Sequence, residues 1–269
     1  RAIAFRATDT DSALAVVWLF RHADLGDAVR RSTRGFLLRA DTWDLFLDER
    51  AQDPASTVPW RLVPTGPMRL VVGNGDRIDR VIFEADDRLL DLGLEGGGAR
   101  WTGANGGTFD VESGSVVFGD RAFAGVAVDL SRARSAEEPP LGDWVFLTSG
   151  DSVVVLLQAR TQTRDRDGFQ GWALRSGREI LLPEVTLDWT DTRAMDAARR
   201  DVPIAWRVAS REGDLGGSLS VRSADLRPGE GTGPLLPVEG VLEVGGRISL
   251  EGTVFAVRGL LRHRQGGER

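Results

Sequence analysis

A chain of 269 residues, 41% apolar and 28% charged, has the composition of a globular protein with room for one large domain or two ordinary ones. Its net charge of −6 repels a phosphate backbone, and the densest basic stretch, Arg30, Arg31 and Arg34, sits beside Asp24 and Asp27, so nucleic acid is not an expected partner. The longest apolar run, Ala13 to Phe20, is too short for a membrane span.

Three absences narrow the chemistry. Without Cys there are no disulfides and no thiolate reactions, and redox compartment cannot be inferred. Without Lys there is neither a Schiff base nor a Walker-type phosphate loop. Without Tyr there is no phenolic acid. His22 and His263 are the only imidazoles, which leaves little for a metal site or a hydrolase triad. No metal and no cofactor is expected. The first residue, Arg1, is not Met, which is what removal of an N-terminal segment would leave. A cytoplasmic location suits a biosynthetic enzyme, and a secreted or periplasmic one suits a chain that has lost a leader.

Strand signals dominate in chain order. Asn74-Gly75 and Asn105-Gly106 are pairs that favour tight hairpin turns. Arg80–Glu84 and Leu89–Leu94 flank Asp86-Asp87 as a hairpin. Ser152 to Leu157 is apolar on both parities and predicts a strand covered on both sides. Leu219/Val221 and Ile248/Leu250 alternate with polar residues, as strands with one wet face do. Asp191 to Arg200 reads as a helix capped by Thr190 or Asp191, and Asp24 to Arg31 is a second short helical candidate. Gly229, Gly231 and Gly233, between Pro228 and Pro234, form a loop.

A repeat is visible as well. Trp18 and Trp144 lie 126 residues apart, as do Gly114 and Gly240, Gly119 and Gly245, and Arg121 and Arg247. A unit of that size with about eight short strands suits a closed barrel, which leaves no exposed strand edge. The expected architecture is therefore all-β: two tandem lipocalin-like antiparallel barrels with one short helix. The N-terminal barrel is expected over 1–138 and the C-terminal one over 139–269, joined near Pro139-Pro140 within Ser131 to Gly142.

The stretch Pro237 to Gly259, with Glu239-Gly240 followed by a Gly-rich strand, resembles the closing signature of the AttH/CrtC family. Gly142-Asp143-Trp144 is similar to that family's Trp-Asp-Trp start of the second domain. Trp18-Leu19-Phe20-Arg21-His22 resembles its N-terminal aromatic segment, and Val202-Pro203-Ile204-Ala205-Trp206 its proline-then-tryptophan strand. Val238 stands where the family has an aromatic, and Phe255 where it has a tyrosine. The resemblance implies two lipocalin-like barrels. It also implies an activity among carotenoid 1,2-hydratases, secreted hydrolases and Diels–Alder-type cyclases of polyketide pathways. Hydratase members carry a His motif at the start of the second domain, whereas this chain has no His between His22 and His263. The strong proton donor that alkene hydration needs is not evident.

The candidate catalytic residues are Glu239 and Asp143. A carboxylate aimed into a barrel would have a raised pKa and could donate a hydrogen bond. Trp18, Trp144, Trp189, Trp206 and His22 are the candidate substrate-binding residues, the tryptophans as apolar walls with one N–H donor each. Core packing is the competing reading for each Trp, and solvation or pairing with Arg for each carboxylate. His263, between Arg262 and Arg264, reads as a surface residue. Together these predict a cyclase that folds a linear apolar polyene or polyketide in a barrel or interdomain pocket. The alternatives are a non-catalytic carrier of a lipid, isoprenoid or pigment, and a hydratase-like enzyme using the carboxylates.

Overall fold

The computed structural model describes residues 1–8, 14–54, 66–74, 77–85, 88–103, 106–132, 143–150, 152–160 and 168–266. Its contacts divide the chain into two units: Arg1–Thr102 with Gly106–Glu138, and Pro139–Arg269 with Gly103–Asn105.

The first unit contains β1 (Ala2–Ala7), β2 (Leu14–Asp24), β3 (Ala28–Arg39), β4 (Thr42–Pro54), β5 (Met68–Val72), β6 (Ile78–Ala85), β7 (Arg88–Leu94), β8 (Ala99–Thr102), β9 (Thr108–Phe118) and β10 (Arg121–Ser131). They form one curled antiparallel sheet in the order β4-β3-β2-β1-β10-β9-β7-β6-β5, with β8 on β9. No pairing joins β4 to β5 among the described residues. Its inner face is packed with Phe5, Trp18, Leu37, Phe83, Leu92 and their neighbours.

The second unit is a closed eight-stranded barrel. Its strands are β11 (Trp144–Ser149), β12 (Val153–Ala159), β13 (Phe169–Arg175), β14 (Arg178–Met195), β15 (Arg200–Ser210), β16 (Leu215–Pro228), β17 (Val238–Leu250) and β18 (Thr253–Gln265). Side chains alternate between inside and outside along each strand. Val145, Leu147, Val155, Leu157, Trp206, Leu242, Val244 and Leu261 fill the interior. The inside of this barrel is thus a packed core and not a substrate chamber, which removes one of the places that the sequence reading left open for a pocket. Strand β12 is buried at every position, inward and outward, as its apolar run predicts.

Several expectations need correcting. Asp191 to Arg200 is not a helix. Asp191–Met195 completes β14 and pairs with β15 (Arg193↔Val202, Met195↔Arg200), leaving a 3-10 turn at Asp196–Ala198. The good helix formers there yield to strand pairing, since tertiary context overrides propensity. Likewise, Asp24 to Arg31 ends β2 and begins β3, with Asp24 opposite Val29. The 126-residue spacing is not the structural repeat either. Gly119 sits in the β9–β10 turn with φ +63°, whereas Gly245 lies within β17, whose own turn is at Glu251-Gly252. Gly240 and Gly246 are glycines because a Cβ at either would collide with the backbone carbonyl of Asp225 or Ser218.

The flanks of the Asn-Gly pairs are antiparallel, Val72↔Ile78 and Thr102↔Thr108, and Gly106 has φ +71°. The hairpin around Asp86-Asp87 forms with Ala85 opposite Arg88. Gly75, Asp86, Asp87, Asn105 and the expected link at Pro139-Pro140 lie outside the described residues. The glycine-rich loop joins β16 to β17 and is tied by Gly229 N–H to the Pro237 carbonyl (2.7 Å) and by Arg199 Nη2 to the Gly233 carbonyl (2.7 Å). Among the described residues no helix is long and apolar enough to cross a membrane.

Candidate functional site

Strand register fixes where each predicted residue sits. In the first unit, Trp18 is fully buried in the inner-face core, edge-on to Phe46 at 6.0 Å, while His22 is exposed near the end of β2. In the second unit, Trp206 is 1% exposed and part of the barrel core. Trp189 lies directly opposite Trp206, is half-exposed, and meets the His263 ring edge-on at 6.0 Å. Glu239 alternates with the inward Val238 and Gly240, so it faces out of the barrel, between Arg227 and Arg264 on the neighbouring strands. Its position removes the premise of a carboxylate aimed inward.

His263 is not a surface residue: its relative exposure is 1%. The alternation that sends Arg262 and Arg264 outward turns the imidazole inward, beside Gly240. Asp143, just before β11, reaches inward to meet it. The Asp143 Oδ2 lies 2.8 Å from His263 Nδ1, and Asp143 Oδ1 accepts from the Arg264 backbone N–H at 2.7 Å. Burial opposes the charged ring, but the Asp143 carboxylate and the Gln265 side chain favour it. Together they outweigh burial and the Arg200 charge, so the pKa of His263 stands above the ordinary imidazole value. Nε2 completes no hydrogen bond among the described residues.

One residue further on, Trp144 points out of the barrel and is 4% exposed. Its direct cross-strand partners are Arg262 on β18 and Gln158 on β12, and Gln158 in turn faces Gln170 on β13. Arg262, Trp144, Gln158 and Gln170 form one lateral row on the outer wall. At about 4.8 Å between strands the row is about 14 Å long. All four are buried, Gln158 at 1% and Gln170 at 9%. Yet Trp144 Nε1, both amide atoms of Gln158 and Nε2 of Gln170 complete no hydrogen bond among the described residues. Gly103, grouped with this unit, lies against the two amides, where a Cβ would collide with them. Around the row the outer wall is apolar and buried: Phe146, Val154, Leu156 and Leu260. Trp172, on the same face, differs from Trp144 in that its N–H is satisfied by Glu179 at 3.0 Å. Glu243, fully buried, is the enclosed carboxylate of this face, four residues from the predicted Glu239.

Leaving a buried donor or acceptor unpaired costs about 1–3 kcal/mol. Three adjacent side chains in that state form a polar cluster inside an apolar surround, packed against Gly103, and that mixture of few polar groups among apolar ones is the composition of small-molecule sites. A carbonyl or hydroxyl group placed there would find donors from Trp144 and Gln170, and both a donor and an acceptor from Gln158. Elsewhere, a cleft of about 350 Å³ opens beside Leu181, Pro183, Glu184 and Arg211, and holds none of the predicted residues. Among the described residues no cluster of His, Asp and Glu could hold a metal ion.

Solved structures with a similar fold exist. Kievitone hydratase from Nectria haematococca superposes with a TM-score of 0.59 at 13% identity, covering 97% of this chain and 86% of that one. An AttH-type protein from Nitrosomonas europaea gives 0.57 at 15% identity, over 99% and 91% of the two chains. This chain has the AttH-type fold. CghA, solved with Sch210972, gives 0.51 at 14% identity over 99% and 89%. No family model and no curated protein matches the sequence.

The sequence singled out Trp144 and Asp143, which the structure places on opposite sides of one wall. It missed Gln158, Gln170, Glu243 and the role of His263. For His263 a signal existed, because the inward parity of Val257 and Leu261 extends to it. Glutamines carry no comparable signal.

Proposed function

We propose that the protein is a cofactor-independent cyclase that folds a linear apolar polyene or polyketide bearing a conjugated carbonyl. The observation that carries this reading is the row of donors at Trp144, Gln158 and Gln170, without partners among the described residues and set in an apolar wall. The substrate carbonyl accepts hydrogen bonds from the row, while Phe146, Val154, Leu156 and Leu260 hold the hydrocarbon.

A cycloaddition forms its bonds within one substrate and consumes no proton, nucleophile or metal. Holding the reacting ends in near-attack geometry supplies up to about 7–11 kcal/mol of barrier reduction. A fixed donor on the carbonyl adds about 2.7–4 kcal/mol where it acts on charge that grows in the transition state. Amides and an indole suit that task, because they stay neutral and oriented in a dry site. The fold shared with CghA, a protein solved with the small molecule Sch210972, is in keeping with this reading.

The test is incubation with linear polyenes that carry a conjugated ketone or ester, followed by mass spectrometry. A product of unchanged mass and altered retention is expected. A product heavier by one water would replace the cyclase with a hydratase. Saturable binding with no product would replace it with a carrier.

A further inference from the structure

Asp143 and Trp144 are consecutive residues whose side chains lie on opposite sides of the barrel wall. Asp143 is held from three directions. Its carbonyl accepts from Ala159 N–H on β12 at 3.0 Å, and its carboxylate bridges His263 Nδ1 and Arg264 N–H on β18. These contacts fix the first residue pairs of β11, Trp144 with Gln158 and Trp144 with Arg262. Two of the three run through the Asp143 carboxylate, and one of those ends on a titratable ring. Among the described residues, Trp144 itself has no side-chain hydrogen bond to locate its N–H.

We propose that the Asp143–His263 pair inside the second barrel is a positioning device for Trp144 on the outer wall, and that the proton on His263 sets how firmly it holds. With the imidazolium in place, the Nδ1–H···Oδ2 contact is a hydrogen bond between opposite charges, roughly twice as strong as one with a neutral donor. On losing its Nε2 proton the ring still donates from Nδ1, but the enclosed carboxylate has lost its counter-charge. The start of β11 is then held less tightly, and Trp144 with it. The charged groups that bear on His263 are Asp143 at the start of β11 and Arg200 on β15. The residues facing it from β14, β17 and β18, namely Trp189, Gly240 and Gln265, do not ionise. Arg200 donates from Nη1 to the Leu236 carbonyl at 2.9 Å. Asp143 and His263 are thus positioning residues, and the value of positioning Trp144 rests on the cyclase reading above.

Nuclear magnetic resonance of the intact protein tests this without any ligand. The chain has eight indole N–H signals, of which Trp144→Phe removes and so assigns one, and two histidines, of which His22 is the exposed control. The Trp144 indole signal is expected to shift with pH along the same midpoint as the His263 ring protons, above the ordinary imidazole value. Asp143→Asn keeps an acceptor for Arg264 N–H but removes the charge, and His263→Gln removes the titration. Both should flatten the Trp144 response while the circular dichroism spectrum stays that of the wild type. A Trp144 signal that stays still through the His263 titration would overturn the proposal, as would one that still moves in His263→Gln. Should one variant fail to fold, the wild-type titration and the other variant decide. A polyene-binding assay over the same pH range separates the two claims. If the indole titrates but binding is flat, the outer-wall site fails while the positioning device stands.

Discussion

Replacing Gln158 with Leu should make the ligand-free protein more stable. Gln158 is 1% exposed, both atoms of its amide lack a partner among the described residues, and its neighbours on β12, Leu157 and Leu156, are fully buried. Leu has nearly the same reach and removes an unpaired polar group, whose burial costs about 1–3 kcal/mol. We expect a gain of about that size, which corresponds to a rise in Tm of roughly 3–10 °C for a unit of this length. Urea unfolding followed by far-UV circular dichroism, with an unchanged slope against denaturant, measures it directly. The same variant should lose affinity for a carbonyl-bearing polyene, the trade between stability and function expected where a binding surface is kept ready. A loss of 1 kcal/mol or more in the ligand-free variant would refute the reasoning, because it would mean that the amide is already paired.

Trp206→Ala should cost about 3–5 kcal/mol, since the indole is 1% exposed within the barrel core, and thermal unfolding would show it. Stability should also depend on pH through His263. Its folded pKa is raised, so its contribution is fully present below the unfolded value of about 6.5 and is lost as pH rises through the folded value. The difference in unfolding free energy between wild type and His263→Gln, measured from pH 5.5 to 9, should shrink with rising pH. Glu112, whose pKa is also raised, loses stability in the same direction as pH rises, though here the charged form is the unfavourable one. Burial pushes its carboxyl up despite the 2.9 Å hydrogen bond from Gly96 N–H, so Glu112→Gln should stabilise at pH 7 and lose that advantage below the ordinary carboxylate range.

Local patterns were legible in the sequence and long-range ones were not. The hairpin of β6 and β7 follows from its alternating apolar residues, and the full burial of β12 from its unbroken apolar run. At Asp191 to Arg200 local propensity misled, because pairing with β15 decides that segment. Arginines on both sides made His263 look superficial, although in a strand flanking charges imply an inward neighbour. The lack of a β4–β5 pairing among the described residues follows no local signal. Gln158 and Gln170 lie in different strands, and only register joins them to each other and to Trp144. The family resemblance led to Trp144 and Asp143, while the buried amides beside Trp144 could be found only in three dimensions.

In the proposed reaction Trp144 donates a hydrogen bond to a substrate carbonyl as the ring closes. Trp144→Phe keeps an aromatic wall and removes only the donor, so the rate of cyclisation by this variant is the most direct measurement. We expect a fall in kcat of about 10²–10³-fold with little change in KM, the signature of a donor acting in the transition state. A variant that cyclises at the wild-type rate would contradict it.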